Sequence, residues 1–374
     1  MSEHFDVAIV GAGIVGLAHA WRAAVRGKSV VVFERSPRAS GASIRNFGMI
    51  WPIGQTLGPR YEMAMVSRSL WLELGREANI WVNPCGSMHL AHRADEFAVL
   101  EEFCQQAGGL EVELCTPEQT LQRSPAAKPD GLLGAMFSHS ELCVNPTAAT
   151  RGFAKWLAEH LEVPIHFETS INRIDDSTVN SSDGQTWSAD QILVCSGADF
   201  QTLFPSEYEK TGARLCKLQM MRTVKQPSNW NIGKHIASGL TLRHYKSFEI
   251  CPSLAALTAR IEEETPELNR LGIHVMASQD DAGHVILGDS HEYDDEVEPF
   301  DTQEINDLIL RELHKQITLP DWTIDRSWHG LYTKHSDNQL VRSNPQPNVH
   351  VCFSPGGAGM TLSLGWAEDF WERN

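Results

Sequence analysis

Near its start the sequence reads VGAGIVG, which spaces Gly11, Gly13 and Gly16 as GxGxxG, with Glu34 at the end of the next apolar run. Each position has a chemical task. Gly11 permits a tight turn, Gly13 lets the backbone approach a pyrophosphate at a helix N-terminus, and Gly16 lets that helix pack on its strand. A carboxylate at Glu34 can accept both hydroxyls of a ribose. The spacing therefore points to a dinucleotide. An enzyme using both NAD and FAD commonly carries two such fingerprints, and only this one is found. Its place at the N-terminus favours FAD.

A second group of reactive residues lies far along the chain. The stretch WHGLYTKHSD places Trp328, His329, Tyr332, Lys334 and His335 within residues 328–337. Arg45 and Asn46 sit in SIRNFGMI, LRHYKSF supplies Arg243, His244 and Lys246, and GDSHEY supplies His291. Arg243 and Lys246 read as solvated strand residues, and His244 and His291 as structural ones. The pairs His89/His92 and His329/His335 lack the cysteine or carboxylate partners of a metal set, so no metal site is expected.

The elements that must carry these residues are legible from periodicity. FDVAIV is a buried strand, residues 14–26 are an alanine-rich helix, and SVVVFE is a second buried strand. Together they form a βαβ unit whose unbroken apolar strands indicate a parallel sheet. Residues 36–60 form a long Gly/Ser/Pro-rich loop, of the length that usually serves function. Asn145 and Pro146 open a helix over 145–160, followed by the strands PIHFETSINRI and QILVCSG. The chain closes with a strand, a glycine-rich turn and a helix. The expected fold is α/β: a Rossmann-like FAD-binding domain from residues 1–80, 140–210 and 328–374, and a substrate domain with a mainly antiparallel sheet from 81–139 and 211–327.

Bulk properties restrict the partners. The net charge of −17 opposes binding to nucleic acid or an anionic membrane, and an anionic substrate would need a local basic pocket. No apolar run reaches the length of a membrane span. The N-terminus lacks the basic region and cleavage site of a signal peptide, and eight scattered cysteines without a CxxC pair suit free thiols in a reducing cytoplasm. A cytoplasmic location is expected, and the oligomeric state is left open.

The order of the fingerprint, SGASIRNFGMI, ILVCSGADF and FSPGGAGMTLSLG resembles the D-amino-acid oxidase superfamily of FAD-dependent amine oxidases, and is most similar to the glycine oxidase and sarcosine oxidase group. The resemblance covers nearly the whole chain and is weakest over 214–325. It implies that Ala12, Ile14 and Val15 lie along the pyrophosphate and that Glu34 and Arg35 hold the adenosine ribose. Ala42 and Ser43 would meet the phosphates. Phe47, Gly48 and Met49 would line the isoalloxazine, Ile171 would meet adenine, and Ser196 with Gly197 match a Thr-Gly segment. Gly356, Gly357, Ala358, Gly359, Met360 and Thr361 would aim N–H groups at the flavin. Gly330 stands where sarcosine oxidase has its flavin-linking cysteine, so FAD is expected to be non-covalent.

The resemblance also implies hydride transfer from a C–N carbon, with O2 as the expected acceptor of the electrons. Aligned through Asp337, Tyr332 replaces the arginine that grips a substrate carboxylate, and Gly359 replaces a turn lysine. An ordinary α-amino acid is therefore disfavoured. Arg45 is the leading replacement anchor because the flavin places its neighbours, with Asn46, Lys334 and His335 beside it. The stretch SIRNFGMIWP together with the tyrosine resembles a subgroup associated with aminoalkylphosphonate breakdown, implying 2-aminoethylphosphonate or its N-methylated form as substrate. The alternatives are a glycine, sarcosine or D-amino-acid oxidase, or an amine dehydrogenase with another acceptor. The latter is suggested by Ile286, which stands at the position of an O2-activating lysine.

Overall fold

The computed structural model describes residues 3–294, 297–335, 340–353 and 355–373. Its first sheet has eight strands. Strand Glu3–Val10 lies parallel to Val30–Phe33 on one side and Thr186–Val194 on the other, and Val349–Phe353 joins Thr186–Val194, again in parallel. Val30–Phe33 is buried throughout, as a strand covered on both faces must be. Helix Ile14–Ala24 links the first two strands and packs on the C-terminal helix Gly359–Arg373. Trp371 donates its indole N–H to the carbonyl of His19 at 3.1 Å, tying the two helices together. The ends of the chain thus meet in one layer.

The second sheet has nine strands, antiparallel except where His235–Ala237 runs parallel to Ser87–Ala91. Its main core gathers Met88, Leu90, Phe103, Phe248, Leu257 and Ile261 between the sheet and its helices. Strand Arg214–Lys225 pairs with Ile324–Lys334, setting Cys216 opposite Tyr332 and Leu218 opposite Gly330. A smaller sheet joins Met49–Ile50, Leu142–Val144 and Val82–Asn83, with Leu142–Val144 in the middle.

Three expectations change. The boundary drawn between 327 and 328 falls inside Ile324–Lys334, and the ladder to Arg214–Lys225 puts residues 328–334 in the nine-stranded sheet. LRHYKSF is not a strand. It ends the short helix Gly239–Leu242 and enters the 3-10 turn Lys246–Ile250, because its amides find local acceptors: His244 N donates to Thr241 O at 3.0 Å and Phe248 N to Tyr245 O at 3.1 Å. PIHFETSINRI divides into Ile165–His166 and Ile171–Asp175, with Glu168 at φ +56° between them. All eight cysteines are free thiols, and each except Cys104 is buried. Among the described residues, no helix is long and apolar enough to cross a membrane.

Candidate active site

A cavity of about 460 Å3 runs over the C-terminal ends of the parallel strands. This is the end at which open α/β sheets hold ligands. Its floor is the glycine fingerprint. Gly11 has φ +108°, and a Cβ there would collide with the carbonyl oxygen of Cys195. A Cβ on Gly16 would collide with the carbonyl of Gly11, so the helix sits on the turn as closely as the spacing implied. The Glu34 carboxylate is fixed by the backbone, with Oε2 accepting from Ala12 N and Oε1 from Ser36 N, each at 3.0 Å. Ile14 N donates to Ser43 Oγ at 2.9 Å, so the first amide of the helix already faces an oxygen where a phosphate oxygen would be held. A fixed carboxylate, a helix N-terminus and a backbone cradle that excludes Cβ atoms fit the ribose and pyrophosphate of FAD.

Gly11, Gly13, Ile14, Val15, Glu34 and Arg35 line this cavity. So do Ala42, Ser43, Ile171, Ser196 and Gly197, and at the far end Gly356, Gly357, Gly359 and Met360. Arg35 is held by Asp199 at 2.6 Å. Ala12, Gly16 and Gly48 support the wall without lining it. Gly48 N donates to Asn46 Oδ1 at 2.8 Å, while Asn46 Nδ2 donates to Ala42 O at 2.9 Å, so Asn46 folds the loop onto itself. Gly330 lines the cavity and carries no sulfur to link a flavin.

A second cavity of about 290 Å3 adjoins the first and shares Asn46, Leu218, Tyr332, Gly356, Gly357 and Met360 with it. Phe47, Met49, Ala358 and Thr361, expected at the flavin, line this second chamber. Thr361 Oγ1 accepts from Trp51 N at 2.9 Å, fixing the first turn of the last helix against the 36–60 loop. The chamber also holds Arg60, Lys246, Lys334, His244, His274, His291 and Asp289. Burial lowers the pKa of Lys334, and its Nζ donates to the Tyr293 hydroxyl at 2.7 Å. Burial raises the pKa of Tyr332 well above the tyrosine range, which keeps its hydroxyl protonated.

The structure separates the expected substrate residues. Asn46, Tyr332 and Lys334 meet at the second chamber, whereas Arg45 lines only the first cavity and donates to the carbonyl of His329 at 3.3 Å. The turn of Ala42–Ile44 directs Arg45 along the strand Ile324–Lys334. His335 lines neither cavity. Asp337, on which the tyrosine-for-arginine alignment was set, lies outside the described residues. Sequence reasoning passed over Arg60, His274 and Asp289. Arg60 opens the helix Pro59–Glu77, where a basic residue in the first turn opposes the helix dipole, and that unfavourable placement was the one available signal.

Comparison with known proteins agrees with this geometry. The family description "DAO: FAD dependent oxidoreductase" matches residues 6–373. Over 216 residues the chain is 28% identical to the glycine oxidase of Geobacillus kaustophilus, covering 53% of this chain and 56% of that protein. It is also 28% identical over 211 residues to the monomeric sarcosine oxidase of a Bacillus species, covering 53% and 52%. The chain thus matches about half the length of these curated relatives. The fold is shared over the full length: the crystal structure of the Geobacillus enzyme superposes with a TM-score of 0.76 at 18% identity, covering 100% of this chain and 96% of that one. L-proline dehydrogenase from P. horikoshii gives the same TM-score and identity, covering 100% and 93%. With the fingerprint, the fixed acidic residue and the two-chamber cleft, the match across nearly every residue places the chain in the DAO family of FAD-dependent oxidoreductases.

Proposed function

We propose that this protein is an amine oxidase that opens the C–N bond of a small primary or secondary amine bearing an anionic head, with 2-aminoethylphosphonate or its N-methylated form as substrate. The observation that carries the reading is the chamber beside the glycine turn: an acidic protein of net charge −17 gathers Arg60, Lys246 and Lys334 around it. A tetrahedral dianion would engage several separated cations, whereas a carboxylate is best held by one bidentate arginine. Tyr332, aligned with the arginine of glycine oxidase, removes the planar fork from that strand position, and Arg60 enters from another element.

The overall reaction balances as R–CH2–NHR′ + O2 + H2O → R–CHO + R′NH2 + H2O2. Bound FAD supplies the two-electron acceptor. The chain's own residues do the rest. Lys334, Lys246 and Arg60 hold the anionic end and fix the direction of the amine. Their positive charge also disfavours the ammonium form of the amine, leaving the nitrogen lone pair free. Phe47, Met49, Leu218 and Met220 exclude water from the reacting carbon. The N-terminal turn of helix Gly359–Arg373 presents its amides at the seam between chambers, where negative charge accumulates during oxidation.

A second reading, a dehydrogenase serving another acceptor, is supported by Ile286. It packs in an apolar cluster with Cys216, Leu218, Met220 and Tyr332, so it offers no ammonium to assist O2. Both readings meet in one experiment. Anaerobic protein is mixed with glycine, sarcosine, D-amino acids, 2-aminoethylphosphonate and N-methyl-2-aminoethylphosphonate, and the flavin absorbance is followed. Bleaching by the aminophosphonates, with peroxide on readmitting air, is expected. Bleaching by glycine or sarcosine alone would overturn the phosphonate assignment, and dye reduction without peroxide would favour the dehydrogenase.

A further inference from the structure

Three histidines from separate loops converge on the second chamber. His244 lies between the short helix Gly239–Leu242 and the turn Lys246–Ile250, His274 precedes strand Met276–Gln279, and His291 follows strand His284–Gly288. One ring nitrogen from each lies within 4.8 Å of the others. Rings of His244 and His274 are 3.8 Å apart between centroids, and those of His274 and His291 are 4.9 Å apart. The loops are locked by backbone bonds. His274 and Asp289 exchange N–H to carbonyl bonds at 3.2 and 3.0 Å, and His291 N donates to Leu271 O at 3.0 Å.

Among the described residues, several polar atoms here have no hydrogen-bond partner. His274 is 3% exposed, yet neither of its ring nitrogens makes a hydrogen bond. Oδ1 of Asp289, at 5% exposure, also makes none, although it lies 3.4 Å from His274 Nε2. Leaving such groups unpaired in the interior is costly. His291 is oriented differently. Its Nδ1 lies 3.2 Å from the carbonyl of Gly272, which can only accept, so the proton is on Nδ1 and the Nε2 lone pair is left for a ligand. That arrangement, one ring nitrogen donated to a backbone carbonyl and the other free, is how metal-binding histidines are held.

We propose that His244, His274 and His291, with the Asp289 carboxylate beside them, form a site for one transition-metal dication of the zinc class. Zinc with three imidazoles needs nitrogens about 3.4 Å apart and keeps a fourth position open. The three nitrogens, now within 4.8 Å of one another, must close to that spacing when the ion binds. The dication takes one unpaired nitrogen of His274 and neutralises Asp289. Because all four side chains line the chamber, the open position faces the space beside the glycine turn, where an anionic oxygen can complete the coordination shell. The site follows from the loops alone, whatever amine the protein oxidises.

The test uses the flavin-loaded full chain, treated with a chelator, reloaded with Zn2+, Co2+ or Ni2+ and desalted. Elemental analysis should return close to one ion per chain for at least one of these metals. A His274→Gln/His291→Gln variant should retain less than about one tenth of that with its flavin content unchanged. If the double variant does not fold, His244→Gln at the half-buried position replaces it and should weaken zinc binding at least about tenfold against a chromophoric chelator. Absence of stoichiometric metal in the parent protein, or equal retention in the variants, would overturn the proposal. Metal retention and flavin bleaching are read separately. Retained metal without amine-dependent bleaching upholds this site and removes the proposed reaction, and bleaching by a protein that holds no metal does the reverse.

Discussion

Lys334 carries the clearest consequence for a single side chain. Its ammonium is partly desolvated, which lowers its pKa, and it stands at the end of the strand that also presents Tyr332. If it holds the substrate anion, Lys334→Met should raise KM by about 10- to 100-fold, the loss of one charge-assisted hydrogen bond, with a much smaller change in kcat. The pH profile offers a sharper check. The ammonium is charged below its lowered pKa, so affinity should fall as pH rises through that value, earlier than for an ordinary lysine. Lys334→Arg should abolish that alkaline limb, because guanidinium does not titrate in the range. An unchanged profile in steady-state kinetics would remove Lys334 from the anion site. Gly16 gives a second single-residue outcome. Gly16→Ala forces the helix off the Gly11 carbonyl, and flavin affinity should drop tenfold or more, read as the ratio of flavin to protein absorbance.

At the scale of elements, the contrast between the two chambers explains what the sequence could say. The strand-turn-helix at Gly11–Gly16 is local: its spacing, its strand and its helix all lie within one short segment, so the ligand it serves is readable from residue order. The C-terminal turn at Gly356–Gly359 was legible for the same reason. The second chamber is assembled from residues at 60, 244, 246, 274, 289, 291 and 334, which no short window contains. His274 sits in a plain loop and Arg60 at a helix start, and neither shows a period or spacing that marks function. Arg45, next in sequence to flavin-lining positions, lines the first cavity and not the second, because the 3-10 turn Ala42–Ile44 turns the chain there. One element-level outcome follows from the Ser43 contact. Ser43→Ala removes the hydroxyl partner of the Ile14 amide, and should leave the fold intact while changing FAD affinity by no more than about tenfold, because a phosphate oxygen takes the same amide.

For the molecule as a whole, the buried histidines of the larger core set an acid limit. Burial holds His235 at about 4 and His89 at about 3, against an ordinary value of 6.5. The folded state thus binds these protons later than the unfolded state. Their contribution to stability is complete above pH 6.5 and is lost as pH falls toward the folded values, by at most about 3 kcal/mol for His235. The buried carboxyls of Glu141 and Asp289 are raised and act in the opposite sense, so a variant comparison is needed. His235→Gln should lose less stability than the parent between pH 7 and pH 5, measured by denaturant midpoint, and an identical slope in both proteins would refute the assignment. The strand pair Arg214–Lys225 and Ile324–Lys334 has a different kind of consequence. It forms the partition common to both chambers through Leu218 and Tyr332, while the nucleotide cradle belongs to the other sheet. Exchanges at the end of this strand pair therefore reach the second chamber while leaving the fingerprint of the other sheet untouched, so the walls of the second chamber and the nucleotide cradle can vary separately.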